Sequence, residues 1–189
     1  MAVRLKSYIK FLWESTNHHG VHSPFVFKLV TKCLYSQKPD MARDNFGSSL
    51  NKKQIELLYR VLYYFKGGKL MVLGPDAGPV AQIFRTAGER EEKFTWFFTT
   101  MAPVPGGVNI GFISHPEKEE ALNLFEEFLP FINNDTVCVI PDIHASEEME
   151  ELWEDIQRHP KVTVTVDVYH AGLVFFRKEQ REQHFKIRM

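Results

Sequence analysis

Val162-Thr163-Val164-Thr165-Val166-Asp167-Val168-Tyr169-His170-Ala171-Gly172-Leu173-Val174-Phe175-Phe176 holds two strands of different character. In the first half, valines alternate with Thr163, Thr165, Asp167 and Tyr169, the two-residue period of a strand that leaves one face or edge exposed. In the second, Leu173 to Phe176 is apolar at every position, which suits a strand covered on both faces. Ala171-Gly172 makes the hairpin turn between them. The chain therefore closes on an antiparallel pair whose last strand is the buried one.

Upstream, short apolar runs alternate with helical patterns from Lys69 onward, the signature of βαβ units and a mainly parallel sheet. Leu70 to Leu73 is the first strand. A helix follows over Pro79 to Ala87 with Gly88 closing it, then a strand over Phe94 to Phe98 and another over Val108 to Ile113. Pro116 opens a helix with Glu117, Glu119 and Glu120 near its positive dipole end, while Leu122, Phe125, Leu129 and Ile132 face the sheet. Thr136 to Ile140 is a buried strand. Ser146 caps a helix whose Met149, Leu152, Trp153 and Ile156 share one face before Pro160 stops it. A parallel sheet that ends in an antiparallel hairpin departs from an ordinary dinucleotide-binding sheet.

Ahead of this core, Leu5, Tyr8, Ile9, Leu12 and Trp13 recur at three- and four-residue spacing, one face of a short helix with basic residues opposite. Such a stripe packs on its own domain or on a twin subunit, and Trp13 and Phe11 would suit a homodimer or protein interface. A membrane-surface helix has the same pattern. Ser23 as N-cap and Pro24 at the first helical position start a second helix that runs to about Tyr35. Gln37 to Ser49, rich in proline, glycine, serine and aspartate, is a loop. Ile55, Leu58, Leu62 and Phe65 mark a third helix, which Gly67-Gly68 terminates. Residues 1–66 thus form a helical segment packed on a core of residues 67–189, one structural unit.

Composition narrows the function classes. Lys+Arg at 23 against Asp+Glu at 24 leaves no net field for phosphate backbones, so nucleic acid is disfavoured as a partner. No apolar segment is long enough to span a bilayer, and the start lacks the uninterrupted apolar stretch of a signal peptide. Cys138 lies inside the apolar run Thr136 to Ile140 as a reduced, buried thiol, which fits a cytoplasmic location. Sixteen phenylalanines in 189 residues point to an aromatic core.

The segment Asn17-His18-His19-Gly20-Val21-His22-Ser23-Pro24-Phe25-Val26-Phe27, the tail from His159 to Met189 and the closing hairpin resemble a bacterial subfamily of class I methyltransferases that use S-adenosylmethionine (SAM). The resemblance implies a Rossmann-like doubly wound α/β sheet with N-terminal helices, in which the last strand inserts antiparallel. It also implies where a cofactor would bind. In the family, the first strand ends in an acidic residue, one spacer and a Gly-x-Gly-x-Gly loop, because only glycine lets the backbone approach the cofactor closely. Here the stretch is Val72-Leu73-Gly74-Pro75-Asp76-Ala77-Gly78: Gly74 and Gly78 hold family positions, Asp76 replaces the central glycine, and Val72 stands where the acid belongs. Gly74, Pro75, Asp76 and Gly78 are the cofactor-binding candidates. Any tight strand-to-helix turn would use the same residues.

The family's second acid, which accepts from the ribose hydroxyls, has no counterpart after Phe97-Phe98. Such bonds contribute roughly 1.5 to 3 kcal/mol each, so losing them weakens binding by about one to two powers of ten. Only Thr99 to Gly107 remains where the family has a helix, a third strand and another helix, so that strand and one wall of the adenine pocket are missing. Metal-dependent members hold Mg²⁺ through carboxylates at two strand ends. Here one strand ends Phe112-Ile113-Ser114-His115, and the other ends Pro141-Asp142-Ile143-His144 where relatives carry Asp-Asp-Ile-His, which argues against a metal.

Asp142 and His144 are the catalytic candidates, since they lie beyond the carboxyl end of a central strand, where open α/β sheets place ligands. His144 could act as a base; a turn at Asp142 and a solvated or capping His144 explain the pair equally. His18, His19 and His22 do not have a known zinc spacing; they read as structural residues or as part of a lid. Glu147 to Glu154 reads as a solvated helix face. The reading reached is a SAM-dependent methyltransferase-like protein that has lost most cofactor-binding and catalytic groups and serves as a binding or interaction module. Its alternatives are an active small-molecule O-methyltransferase and a protein holding another anion on the Gly74 loop, though that loop contains no Lys or Arg.

Overall fold

The computed structural model describes residues 2–37, 49–66, 68–90, 96–98 and 104–189. A seven-stranded sheet organises them, in the order β2-β1-β3-β4-β6-β5-β7. These strands are β1 (Lys69–Leu73), β2 (Trp96–Phe98), β3 (Ile110–Ile113), β4 (Val137–Pro141), β5 (Val164–Asp167), β6 (Ala171–Phe175) and β7 (Gln183–Lys186). β2, β1, β3 and β4 run parallel, and β6 inserts antiparallel between β4 and β5. The strand over 94–98 therefore pairs as the family order requires, with Lys69 opposite Trp96; Phe94 itself lies outside the described residues. Beyond β2, the described residues add no further strand.

Strand alternation distributes the core to two sides. Leu70, Val72, Ile110, Phe112, Val137 and Val139 face α3 (Lys52–Phe65), α4 (Ala77–Arg90) and the helical turn that starts at α2 (Pro24–Leu29) and continues as a π-turn through Leu34. Met71, Leu73, Ile113, Cys138 and Ile140 face α5 (Lys118–Phe128) and α6 (Glu147–Gln157). Helices on both faces make the sheet doubly wound. Ser23 caps α2 through the Val26 amide at 3.4 Å with Pro24 at the first position, and Ser146 caps α6 through Met149. Met149, Leu152, Trp153 and Ile156 are all buried.

Four readings of the sequence need correction. α3 ends one residue before the glycines: Lys66 takes the left-handed cap at φ +49°, and Gly67 lies outside the described residues. Gly88 does not close its helix, which runs on to Arg90. The hairpin turn is Val168 to His170, with Tyr169 at φ +69°, while Ala171 and Gly172 already belong to β6. Gly172 is small for a different reason, since a Cβ there would meet the Trp153 ring at 2.3 Å. Finally, β5 is buried throughout because β7 pairs along its outer side. Thr165 is satisfied by Gln157 at 3.1 Å and His184 at 2.9 Å, so its polarity reports a buried bond rather than an exposed face. The Gln37 to Ser49 loop and the Thr99 to Gly107 link fall mostly outside the described residues.

α1 (Ala2–Glu14) crosses the carboxyl edge of the sheet. Its end is tied there: Thr16 bonds both Lys186 O and the Arg188 amide, bridging in parallel to Ile187. The face it buries differs from the apolar stripe. Phe11 is only 4% exposed, whereas Trp13 is 88% exposed and Leu5 and Ile9 also point outward. Phe11 is therefore a core contact and not a surface aromatic.

Candidate functional site

The loop after β1 has the conformation its glycine predicts. Gly74 sits at φ +101°, and a Cβ there would lie 1.7 Å from the carbonyl oxygen of Ser114. A neighbouring strand end thus already requires glycine at this point. Around Gly78 nothing lies within 4 Å of a Cβ position, so that side of the turn is open. The Ala77 amide closes the turn on Gly74 O at 3.1 Å, and Val80 N reaches Asp76 O at 3.0 Å as α4 begins.

Among the described residues, the acid that the family places at the end of the first strand has no counterpart at this loop. Val72, in the acid's position, is fully buried in the core. Asp76 is engaged by Ser49 Oγ, 2.8 Å from each carboxylate oxygen. Ser114 Oγ is buried beneath the loop without a partner, and a hydroxyl in that position cannot replace a carboxylate. Pro75 is exposed and offers no N–H. Among the described residues, those at the loop keep the turn but offer no acid where the family places one at the end of the first strand.

Two to four strands across the sheet from β1, at β4 and β5, the chemistry is dense. Asp142 ends β4 in the left-handed conformation at φ +55°, with its amide donating to His170 O at 3.0 Å and its carbonyl accepting from Ala145 at 2.8 Å. This turn aims His144 away from Asp142 and toward two other carboxylates. His144 Nε2 is 2.8 Å from Asp167 Oδ2, and Nδ1 is 2.9 Å from Glu150 Oε1. Ser7 of α1 donates to Glu150 and lies 3.1 Å from His144 Nδ1. Tyr169 stacks on the imidazole with centroids 5.1 Å apart and planes 13° from parallel, and Tyr8 and Phe11 pack on Tyr169.

Electrostatics define what this cluster can do. Burial alone would depress the His144 pKa, but the hydrogen bonds and charges of Asp167 and Glu150 outweigh it and raise it above 6.5. Burial likewise pushes Glu150 up; the Ser7 bond and His144 overcome it and leave the carboxyl below 4.5. An imidazolium between two carboxylates is a clamp, since neither nitrogen is left to accept a proton. Asp167 Oδ1 also accepts from the Tyr169 amide at 2.7 Å, fixing the strained turn.

The sequence singled out His144 but missed Asp167, Glu150, Ser7 and Tyr169. An acid among the valines of β5 was the one available signal, and Glu150 was hidden in a charge run whose Glu147, Glu148, Glu151 and Glu154 are indeed exposed. His18 and His19 stack on each other at 3.9 Å beneath the Asn17 cap, and His18 meets Tyr35 edge-on, while His22 is exposed. Among the described residues, no group of three His, Cys, Asp or Glu side chains is arranged to hold a metal ion. Among them, too, no helix is long and apolar enough to cross a membrane.

No protein-family model matches the chain, and no curated protein matches it. Solved structures do. The SAH-bound methyltransferase PaMTH1 of Podospora anserina superposes with a TM-score of 0.52 at 9% identity, over 84% of this chain and 97% of that one. A Staphylococcus aureus protein put forward as a caffeoyl-CoA O-methyltransferase does so with a TM-score of 0.50 at 8% identity, over 91% and 98%. At such identities the likeness is one of fold. The chain shares with these methyltransferase structures a Rossmann-like α/β fold, a mainly parallel sheet ending in an antiparallel hairpin and preceded by helices.

Proposed function

We propose that the chain keeps the methyltransferase fold without the methyltransferase reaction and works as a binding or interaction module. The observation that carries this reading is the state of the Gly74 loop: its backbone turn is shaped by Ser114, and its acid position is a buried valine. On this reading Asp142 and His144 are not an acid–base pair. His144 instead anchors α1 over the sheet edge, and Asp142 makes the turn that aims it. The exposed Leu5, Ile9 and Trp13 stripe is the surface through which a second copy or another protein would be engaged, and light scattering at rising concentration tests that part.

The kinship in fold with a SAH-bound methyltransferase keeps an active small-molecule O-methyltransferase as the second reading, with SAM as its cofactor and Gly74, Pro75, Asp76 and Gly78 as its cradle. Isothermal titration with S-adenosylhomocysteine separates the two. The module reading expects no saturable heat and no rise in melting temperature at roughly 1 mM ligand, because only ligands that bind the folded state stabilise it. A dissociation constant below about 50 μM, within the working range of enzymes, overturns it.

A further inference from the structure

A cleft of about 730 Å³ lies outside the Gly74 loop, between α1, the π-turn after α2, α3 and the Val168 to His170 turn. That volume is the size of a small-molecule site. No residue from 74 to 78 lines it, and β3, β4 and β6 separate β1 from β5, a distance of about 19 Å at strand spacing. Among the described side chains that line it, Lys52, Lys53, Arg60 and Arg188 stand against the carboxylate of Glu56. Lys53, Glu56 and Arg60 recur at three and four residues along α3, which places them on one helix face.

Arg60 is the decisive residue. It is 8% exposed, and its Nε is buried with no hydrogen-bond partner. Among the described residues no carboxylate stands within ion-pairing distance of its guanidinium, including Glu56 one turn earlier. Leaving a buried donor without a partner is costly, and more so when it is charged. The positive field is felt next door. Burial first, and then Lys53, push His170 below 6.5 despite the opposing pull of Asp142. Beside these cations the cleft is lined by the rings of Tyr8, Phe11 and Tyr169, so it offers both positive charge and aromatic surface.

We propose that this cleft binds a small organic anion, a carboxylate or phosphate carried on an aromatic or apolar body, with the anionic group on Arg60 and Lys53. Arg60 forms the buried contact and Lys53 and Arg188 guard the mouth. The apolar body lies against Tyr8 and Phe11, which makes α1 a wall of the site. The inference deepens the binding-module reading and rests on it in naming binding as the activity. The two fail separately, because S-adenosylhomocysteine probes the Gly74 loop and the anion probes the cleft.

The test is calorimetric titration of the full chain with 1-naphthyl phosphate, 1-naphthoate and uncharged 1-naphthol. Saturable binding of at least one anion is expected, with naphthol about ten-fold weaker or more, as loss of a charge-assisted bond requires. The tighter of the two anions identifies the headgroup. Lys53→Glu, at an exposed position, and Arg60→Met should each weaken the anion about ten-fold while circular dichroism stays unchanged. Should Arg60→Met fail to fold, Lys53→Glu and Arg188→Glu carry the comparison. Absence of saturable heat with both anions overturns the proposal, as does equal binding of naphthol or indifference to the charge reversals.

Discussion

Two ends of the same sheet edge are built on opposite principles. At β1, a motif-bearing turn is backed by apolar residues and a neighbouring carbonyl, and Ser49 occupies its one carboxylate. At β4 and β5, only Asp142 and His144 stand out in the sequence, yet His144, Glu150, Asp167 and Ser7 converge there, near Arg60, whose Nε has no partner among the described residues. The contrast separates two things a glycine loop is often taken to report together. Glycine records the path of the backbone, which packing against Ser114 maintains whether or not a ligand binds. Chemical capacity depends on polar side chains, and here these come from positions as far apart as Ser7 and Glu150.

The sharpest way to break the comparison is at its charged end. His144→Leu should cost about 3–5 kcal/mol in urea unfolding, because Asp167, 0% exposed, is left as a buried charge with only the Tyr169 amide. Asp167→Asn in the same background should recover much of that loss. If the single variant unfolds like the parent, the clamp is ornamental and the two ends do not differ as argued.

At the other end, Gly74→Ala should cost about 2–4 kcal/mol from the positive φ and the Ser114 contact, with no ligand present. A near-parental midpoint would mean that packing does not maintain the turn and would return it to a cofactor role.

The pH dependence of stability sharpens the account of the clamp. Since His144 is raised in the folded state, its contribution is fully present below the unfolded value of 6.5 and is lost as pH climbs through the higher folded value. Glu150 is lowered, so its contribution is present above 4.5 and falls away as pH drops through the folded value. Melting temperatures should therefore lose a component on the alkaline side of 6.5, and His144→Leu should abolish that component. An identical alkaline slope in both proteins would refute the assignment.

The smallest effect is expected at Gly78. With open space around it and helical geometry, Gly78→Ala should stabilise the chain by about 0.5–1 kcal/mol. On the module reading it alters nothing else. Loss of S-adenosylhomocysteine binding in this variant, with binding present in the parent, would restore the loop to function.

Periodicity made most of the fold legible. The apolar runs of β1, β3, β4 and β6 and the face of α6 are local patterns, and burial follows them residue by residue. Reading failed where a local signal had two physical causes. Thr165 and Asp167 looked like an exposed face because polar alternation has the same period whether water or a buried partner satisfies it. β7 went unread because Gln183 to Lys186 is polar and becomes a strand only by pairing with β5. In α1, Leu5, Ile9 and Trp13 of the apolar stripe point outward, since docking was decided by Ser7, Tyr8 and Phe11 against His144 and Tyr169.

By itself, then, the sequence determined a doubly wound sheet closing on an antiparallel hairpin, and placed a family-like glycine turn after its first strand. These rest on short-range periodicity and on the backbone freedom of glycine, which neighbours in the chain specify. Only the tertiary structure decided what fills each end of the sheet edge. It set Ser49 against Asp76, and joined His144 to carboxylates 6 and 23 residues away. It also left the Arg60 Nε buried beside a cleft with no partner among the described residues. Whether a buried charge has a partner depends on distances across the fold, and no spacing along the chain encodes them.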